Sequence, residues 1–157
     1  LLPGKRLWFF ATGTGFAPFA SLLREPQTYH DYDEVIITHT CRTAGELTYG
    51  RELIESLEHN ELLNEVIGEG FWKKIKYYPT TTREESPKMG RITDLINSGE
   101  AYKDLGVEPL NPETDRAMIC GNLAFNLELK DMLEAAGLEE GANSKPAQYV
   151  VEKAFLD

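Results

Sequence analysis

The chain has few of the residues on which secreted, metal-binding and membrane-embedded proteins depend. It contains only two cysteines, Cys41 and Cys120, in no CxxC pattern, and its three histidines show no ligand spacing. A disulfide scaffold and a zinc site are therefore not expected. No apolar run approaches the roughly 20 residues of a membrane-spanning helix, and no signal peptide is recognisable. These absences predict a reduced, cytoplasmic protein that does not enter the membrane.

Positive charge is also scarce. The 157 residues include 16 Lys and Arg against 26 Asp and Glu, a formal net charge of -10. This balance argues against general binding of nucleic acids or anionic membranes, because neutralising phosphates requires clustered Lys and Arg. A local basic pocket remains compatible with it. The length predicts about one domain, and the 41% hydrophobic content is enough for a core.

The first motif lies close to the start of the chain. Residues 7–11 (Leu-Trp-Phe-Phe-Ala) are typical of a buried parallel strand. The strand pattern breaks at Gly13 and Gly15, which can adopt positive φ and let a ligand approach the backbone. Pro18 then suits the first turn of a helix. This layout favours phosphate binding, but Pro18 stands where the dinucleotide fingerprint has its third glycine, so an ordinary tight turn remains the alternative.

Strand and helix patterns alternate along the rest of the chain. The further predicted strands are 33–39, 74–78, 116–120 and 148–152. The predicted helices are 16–24 (ended by Pro26), 48–58 (capped by Thr48), 61–66, 92–97 and 122–136, with another helical turn near Tyr102. This alternation predicts an α/β fold: a parallel, doubly wound sheet of about five strands with helices on both faces. Ligands of such sheets bind at the carboxyl ends of the strands.

Three arginines, Arg42, Arg83 and Arg91, follow the carboxyl ends of predicted strands. Guanidinium groups remain charged and match phosphate oxygens in a planar fork. The arginines therefore predict a phosphate pocket, and a 2′-phosphate would favour NADP over NAD. The alternative is that they are ordinary surface residues paired with acids such as Glu84 or Asp94.

Cys120 and the C-terminal segment allow two interpretations each. A buried strand cysteine is usually a small core residue, but Cys120 could also lie beside a nicotinamide ring. No neighbouring base is apparent, so thiol catalysis is not expected. Glu152 and Phe155 fit a sheet edge and a docked terminus on composition alone.

Four motifs together resemble one family, the ferredoxin–NADP reductases of the bacterial type. Residues 11–19 are similar to its pyrophosphate loop, and 82–84 with 90–91 to its 2′-phosphate loop. Residues 120–122 resemble its nicotinamide-side loop, and 150–157 its C-terminal extension. The resemblance runs through the whole chain in order, and it is specific only because the motifs occur together.

The resemblance implies NADP(H) and FAD as cofactors and assigns roles to the matching residues. The pyrophosphate loop would comprise Thr12, Gly13, Thr14, Gly15 and Pro18, and the 2′-phosphoadenosine would be held by Arg42, Arg83 and Arg91. Cys120, Gly121 and Asn122 would lie near the nicotinamide and the flavin, with Cys120 and Glu152 as the catalytic residues. Ala154 and Phe155 would pack on the FAD. No residue is assigned to a metal.

The sequence departs from the family in one respect. Members carry an N-terminal FAD-binding β-barrel with an R-x-Y-[ST] motif, and neither is found in these residues. Residues 1–157 are therefore expected to be the NADP domain of a longer flavoprotein, inactive alone, that passes electrons between NADPH and ferredoxin or flavodoxin through FAD. The alternatives are an NADH-using relative, a non-catalytic NADP sensor or docking module, and a domain for another phosphate ligand.

Overall fold

A computed structural model describes residues 1–142 and 144–152, without the side chain of Thr14. Over these residues the chain forms a five-stranded sheet in the order β3-β2-β1-β4-β5, and every neighbouring pair is parallel. The strands are β1 (Arg6–Thr12), β2 (Glu34–Cys41), β3 (Ile75–Thr81), β4 (Asp115–Cys120) and β5 (Tyr149–Val151). The predicted α/β fold with a parallel sheet is confirmed.

Helices connect the strands and cover both faces of the sheet. They are α1 (Phe16–Leu22), α2 (Pro26–Asp31), α3 (Thr48–Glu58), α4 (Glu61–Ile67), α5 (Ile92–Asn97), α6 (Glu100–Leu105) and α7 (Leu123–Ala135). Short 3₁₀ turns cover Gly13–Gly15, Ala44–Leu47 and Phe71–Lys74. Within the described ranges, no helix is long and apolar enough to cross a membrane.

The central strand β1 supplies side chains to two separate cores. Trp8 and Phe10 pack in the core formed with α5, α6 and α7, whereas Phe9 packs on the opposite face against Phe19 of α1, with ring centroids 4.5 Å apart. Successive side chains of a strand point to opposite faces. A strand covered on both faces therefore needs a continuous apolar run, as the sequence of β1 shows.

Strands β2 and β3 continue two or three residues beyond the predicted ends. Thr40 pairs with Thr80 across the two strands, and their hydroxyl oxygens lie 2.9 Å apart. Polar residues can extend a buried strand in this way because each hydroxyl finds a partner. The predicted strands 33–39 and 74–78 therefore end too early. Pro79 is tolerated within β3 because β3 is an edge strand.

Two helix starts also differ from prediction. Pro26 was expected only to end the first helix, but it occupies the first turn of α2, where its missing N–H costs nothing. Thr48 was expected to be a cap, but it is already helical, and Leu47 precedes α3 without a side-chain cap bond. The preceding 3₁₀ turn leads directly into α3, so no extended capping residue is required.

A buried ion pair joins β1 to β4 at the amino-terminal edge of the sheet. Nε of Arg6 lies 2.7 Å from a carboxylate oxygen of Asp115, whose side chain is fully buried. The second oxygen accepts the backbone N–H of Asn111 at 2.9 Å. Both carboxylate oxygens of Asp115 are thus satisfied inside the protein, at the opposite end of the strands from the predicted ligand site.

Candidate functional site

A cleft of about 1060 Å³ opens at the carboxyl edge of the sheet. It lies beside β1, which has β2 on one side and β4 on the other. The chain therefore leaves β1 toward one side of the sheet and later returns to pair β4 on the other side. Ligands of open α/β sheets bind at this switch point. Its walls are formed by the ends of β1, β2 and β5, the start of α5, and the first half of α7.

The two glycines of the first motif have different physical roles. Gly13 has φ +49°, and a Cβ built on it would meet no atom within 4 Å, so its backbone faces open space. Gly15 has φ -61°, which any residue can adopt. Its Cβ would instead lie 2.1 Å from the carbonyl oxygen of Cys120. The expectation of positive φ therefore holds for Gly13 alone, and Gly15 is required for close packing against β4.

The loop after β4 is equally tight. A Cβ on Gly121 would lie 2.5 Å from Oγ1 of Thr12 and 2.5 Å from the Phe125 ring. Asn122 caps α7, because its side-chain oxygen accepts the backbone N–H of Phe125 at 2.8 Å. Thr12, Gly121 and Asn122 all line the cleft. Gly121 and Asn122 thus fix the junction between β4 and α7.

Backbone hydrogen bonds hold the loops carrying Arg42 and Arg83 side by side. The N–H of Arg83 donates to the carbonyl of Arg42 at 3.0 Å, and the N–H of Thr82 donates to Cys41 at 3.0 Å. The loop then folds back, and Gly90 donates to the carbonyl of Thr81 at 2.9 Å. This return brings Arg91 to the same edge of the sheet, so the loops place all three predicted arginines at one end of the strands.

The three arginines differ in their surroundings. Arg42 and Arg91 line the cleft, whereas Arg83 lies outside its lining. Arg91 pairs with Glu128 of α7, which also accepts the hydroxyl of Thr93. Among the described residues, neither Glu84 nor Asp94 forms an ion pair with any of the three arginines. Glu84 accepts the N–H of Ala44 instead. In the part of the chain that the structure describes, no ion pair involves Arg42 or Arg83.

Cys120 and Glu152 are brought close together. The N–H of Glu152 donates to the carbonyl of Ile119 at 2.7 Å, which places the residue directly beyond β5 and beside the end of β4. The Cys120 side chain is fully buried in the core that contains Phe9 and Phe16. Burial, with a smaller contribution from the Glu152 charge, raises the pKa of the Cys120 thiol to about 11. The thiol therefore stays protonated, in line with the expectation that it is not a nucleophile.

Most of the residues predicted for the site meet at the cleft. Those in its lining are Thr12, Gly13, Gly15, Arg42, Arg91, Gly121, Asn122 and Glu152. Pro18, Arg83 and Cys120 are not part of its lining. Ala154, Phe155 and the side chain of Thr14 lie outside the described residues. Their roles toward a nucleotide or a flavin stay predictions.

The structure also adds residues that the sequence analysis did not select. Glu128 and Thr93 line the cleft and hold Arg91. His39 lies under the glycine turn, where its Nε2 is 3.0 Å from the carbonyl oxygen of Gly13. A histidine inside an apolar strand, just before a polar loop, was a usable signal.

Comparison with known proteins establishes the family. The model of the oxidoreductase NAD-binding domain family matches residues 9–131, which include the glycine turn, the arginine loops and most of α7. The chain belongs to this family. It is therefore an oxidoreductase NAD-binding domain, and the matched residues include most of those that line the cleft.

Relatives of this NAD-binding domain are longer than the chain. It is 62% identical over 156 residues to the flavodoxin/ferredoxin–NADP reductase of Rhodobacter capsulatus, covering 99% of the chain and 56% of the relative. It is 40% identical over 158 residues to the ferredoxin–NADP reductase of Azotobacter vinelandii, covering 100% of the chain and 60% of the relative. The chain thus spans a little over half the length of these relatives.

A solved structure confirms the arrangement of the NAD-binding domain. A ferredoxin NADP+ reductase from Neisseria gonorrhoeae, crystallised with bound FAD and NADP, superposes with a TM-score of 0.80 at 28% identity. The match covers 98% of this chain and 57% of that one. The predicted resemblance to bacterial reductases of this type is confirmed.

Proposed function

We propose that residues 1–157 are the NADP-binding domain of a ferredoxin– or flavodoxin–NADP reductase. The observation that carries this is one cleft with an open glycine turn at Gly13 and a pair of adjoining loops that bear Arg42 and Arg83. A dinucleotide with a 2′-phosphate has a pyrophosphate and a terminal phosphate that match these two features. Relatives at 62% and 40% identity bear the reductase name, which supports the same function.

The described residues suit this nucleotide. The Gly13 turn leaves open space beside the backbone, where a side chain would otherwise stand. Thr12, Gly13, Thr14, Gly15 and Pro18 would form the pyrophosphate loop. Arg42, Arg83 and Arg91 would hold the 2′-phosphate, because guanidinium forks bind phosphate oxygens in two-bond geometry. The pairing of Arg91 with Glu128 leaves other guanidinium N–H groups for a phosphate.

The far end of the cleft suits the nicotinamide and the flavin. Gly121 and Glu152 line the cleft, and the side chain of Cys120, the residue before Gly121, is buried in the core that contains Phe9. A bound FAD would supply hydride and one-electron transfer. The chain's own residues would orient the nicotinamide, with Cys120, Asn122 and Glu152 beside it and Ala154 and Phe155 against the FAD.

The whole protein would couple NADPH to ferredoxin or flavodoxin in the cytoplasm, with FAD held mainly by a second domain. This chain carries a formal charge of -10. Acidic partners would therefore be repelled by most of its surface. We expect the docking residues to be basic and to lie in the FAD domain or in a local patch.

Calorimetry with the 157-residue chain tests the nucleotide assignment directly. NADP+ should bind more tightly than NAD+, and Arg83→Ala and Arg91→Ala should each weaken NADP+ binding by about tenfold, since each removes a charge-assisted hydrogen bond. NAD+ binding should change little. Reductase activity of the full-length protein with NADPH and NADH should show the same shift in preference.

Arg24→Ala is the matched control. Its guanidinium donates to the carbonyl of Ala20, and it lies outside the cleft lining. It removes the same charge from the protein, so any loss in NADP+ affinity that it shares with the test variants measures general electrostatics. Equal affinity of the parent chain for NADP+ and NAD+ would contradict the 2′-phosphate assignment. Lack of binding to either would contradict the domain's proposed role.

A further inference from the structure

The strongest unassigned feature of the cleft lies beneath it, in the buried side chain of His39. This residue is on β2, paired with Ala11 of β1 and Pro79 of β3, and it is 1% exposed. The ring packs on Phe16, with centroids 4.7 Å apart. A Cβ on Gly50 of α3 would lie 2.9 Å from its Nδ1, so Gly50 makes room for the imidazole.

The hydrogen bonds of His39 determine which nitrogen carries the proton. Nε2 lies 3.0 Å from the carbonyl oxygen of Gly13, which can only accept, so Nε2 donates. The sulfur of Cys41 lies 3.3 Å from the same nitrogen and can share its proton as a weak acceptor. Nδ1 lies 3.3 Å from the hydroxyl of Tyr77 and accepts from it. Burial lowers the pKa of His39 and raises that of Tyr77. The ring is therefore the neutral Nε2–H tautomer, and the Tyr77 hydroxyl keeps the proton that it donates.

This bond orients the peptide group that follows Gly13. A trans peptide is planar, and its C=O and N–H point in opposite directions. Since the Gly13 carbonyl points inward to His39, the N–H of Thr14 points away from His39. Gly13 has φ +49° and no side chain, so its own backbone preferences would also allow this peptide to flip.

We infer that His39 is a positioning residue of the pyrophosphate loop. By holding the Gly13 carbonyl it keeps the Thr14 N–H turned toward the nucleotide phosphates, and Tyr77 fixes the ring that does so. This inference rests on the proposed NADP site. It concerns the pyrophosphate end, because in the described residues the hydrogen-bond partners of His39 are Tyr77, Gly13 and Cys41, and none is one of the three arginines.

Two ligands separate this role from a general structural one. NADP+ would use both the glycine turn and the arginines, whereas 2′-AMP has no pyrophosphate and would use the arginines alone. His39→Leu replaces the imidazole with an apolar side chain of similar bulk and so removes the Nε2–H donor. Calorimetry should show about a tenfold loss of NADP+ affinity, comparable to one lost hydrogen bond to a charged group. Affinity for 2′-AMP should be unchanged.

His39→Gln is the conservative variant, because its amide nitrogen can donate to Gly13 in place of Nε2. It should restore NADP+ affinity to within about threefold of the parent chain, less than the loss expected for one such bond. Tyr77→Phe provides an independent variant if His39→Leu does not fold. It should weaken NADP+ binding by a smaller factor, again without changing 2′-AMP binding.

The outcomes distinguish the two proposals. If the parent chain binds neither ligand, the proposed nucleotide site itself is wrong. If it binds both and the donor-deleting variants bind NADP+ as tightly as the parent, the role of His39 is overturned. An equal loss for NADP+ and 2′-AMP, or no recovery in His39→Gln, would overturn it as well, because either result indicates general loosening of the fold.

Discussion

The Cβ that Gly15 lacks would lie 2.1 Å from the carbonyl oxygen of Cys120. The turn after β1 and the end of β4 therefore touch through their backbones, and the cleft depends on that contact. Real side chains essentially never approach a backbone oxygen so closely, and the obstructing atom belongs to a strand that cannot simply rotate away.

Gly15→Ala is therefore expected to push the turn after β1 away from the end of β4. Such overpacking typically costs about 1–3 kcal/mol of unfolding free energy, and urea unfolding would measure it. NADP+ affinity should fall as well, since the displaced segments line the cleft. The matched control is Gly45→Ala, where a Cβ meets no atom within 4 Å and φ is not positive. A change of more than about 0.5 kcal/mol in the control would be unexpected for such a surface site.

Arg6→Met should strongly destabilise the protein without acting on the cleft directly. It would leave the fully buried carboxylate of Asp115 without its counter-ion, a change that typically costs about 3–5 kcal/mol. The double variant Arg6→Met/Asp115→Leu removes both charges and should be clearly more stable than Arg6→Met. Urea denaturation of the three proteins measures this difference. A double variant as unstable as the single one would show that the loss comes from packing.

Neither cysteine should react readily in the folded protein. Burial raises the pKa of both thiols, that of Cys120 to about 11. At pH 8, iodoacetamide should label Cys41 and Cys120 only after denaturation, and mass spectrometry of peptides would locate the label. Rapid labelling of native Cys120 would contradict its burial and would reopen a role for its thiolate.

Stability should depend on pH through His39. Its pKa is lowered in the folded state by burial, despite the hydrogen bond to Gly13 and the charge of Glu46. The folded protein thus binds fewer protons than the unfolded chain. The neutral ring contributes stability that is present above its ordinary pKa of about 6.5 and is lost as the pH falls toward the lowered folded value.

Unfolding free energies measured from pH 7.5 to 5.5 should therefore fall more steeply for the parent than for His39→Gln. The extra slope is at most about 1.4 kcal/mol per pH unit, the value for one proton. Parallel curves for the two proteins would show that His39 takes up its proton equally well in the folded state.

Much of the fold could be predicted from local patterns. The helix Ile92–Asn97 has the expected bounds, the helical turn expected near Tyr102 is α6, and β1 is recognisable by its apolar run. The differences from prediction lie where pairing with a neighbouring strand determines the structure. Thr80 and Thr81 appear to belong to a loop because they are polar, yet they continue β3 because β2 pairs with them.

The convergence of the predicted residues on one edge of the sheet could be foreseen, but their contacts could not. The order of the strands brings the loops of β1, β2 and β4 to one edge, as expected for a doubly wound sheet. The contact between Gly15 and Cys120, the partner of Arg91 and the proton donor to Gly13 all join residues distant in sequence. No local pattern specifies such pairs, since they arise only when the sheet has assembled.

The pairing of β1 with β4 closes a loop of the chain in which Arg6 meets a residue 109 positions later. Contacts of such separation form slowly, because the entropy of closing the intervening chain must be lost first. A polypeptide that has been synthesised only as far as β3 lacks β4, on which Gly15 packs, and α7, which lines the cleft. The nascent chain is therefore expected to bind the nucleotide only after β4 has been synthesised and has paired with β1.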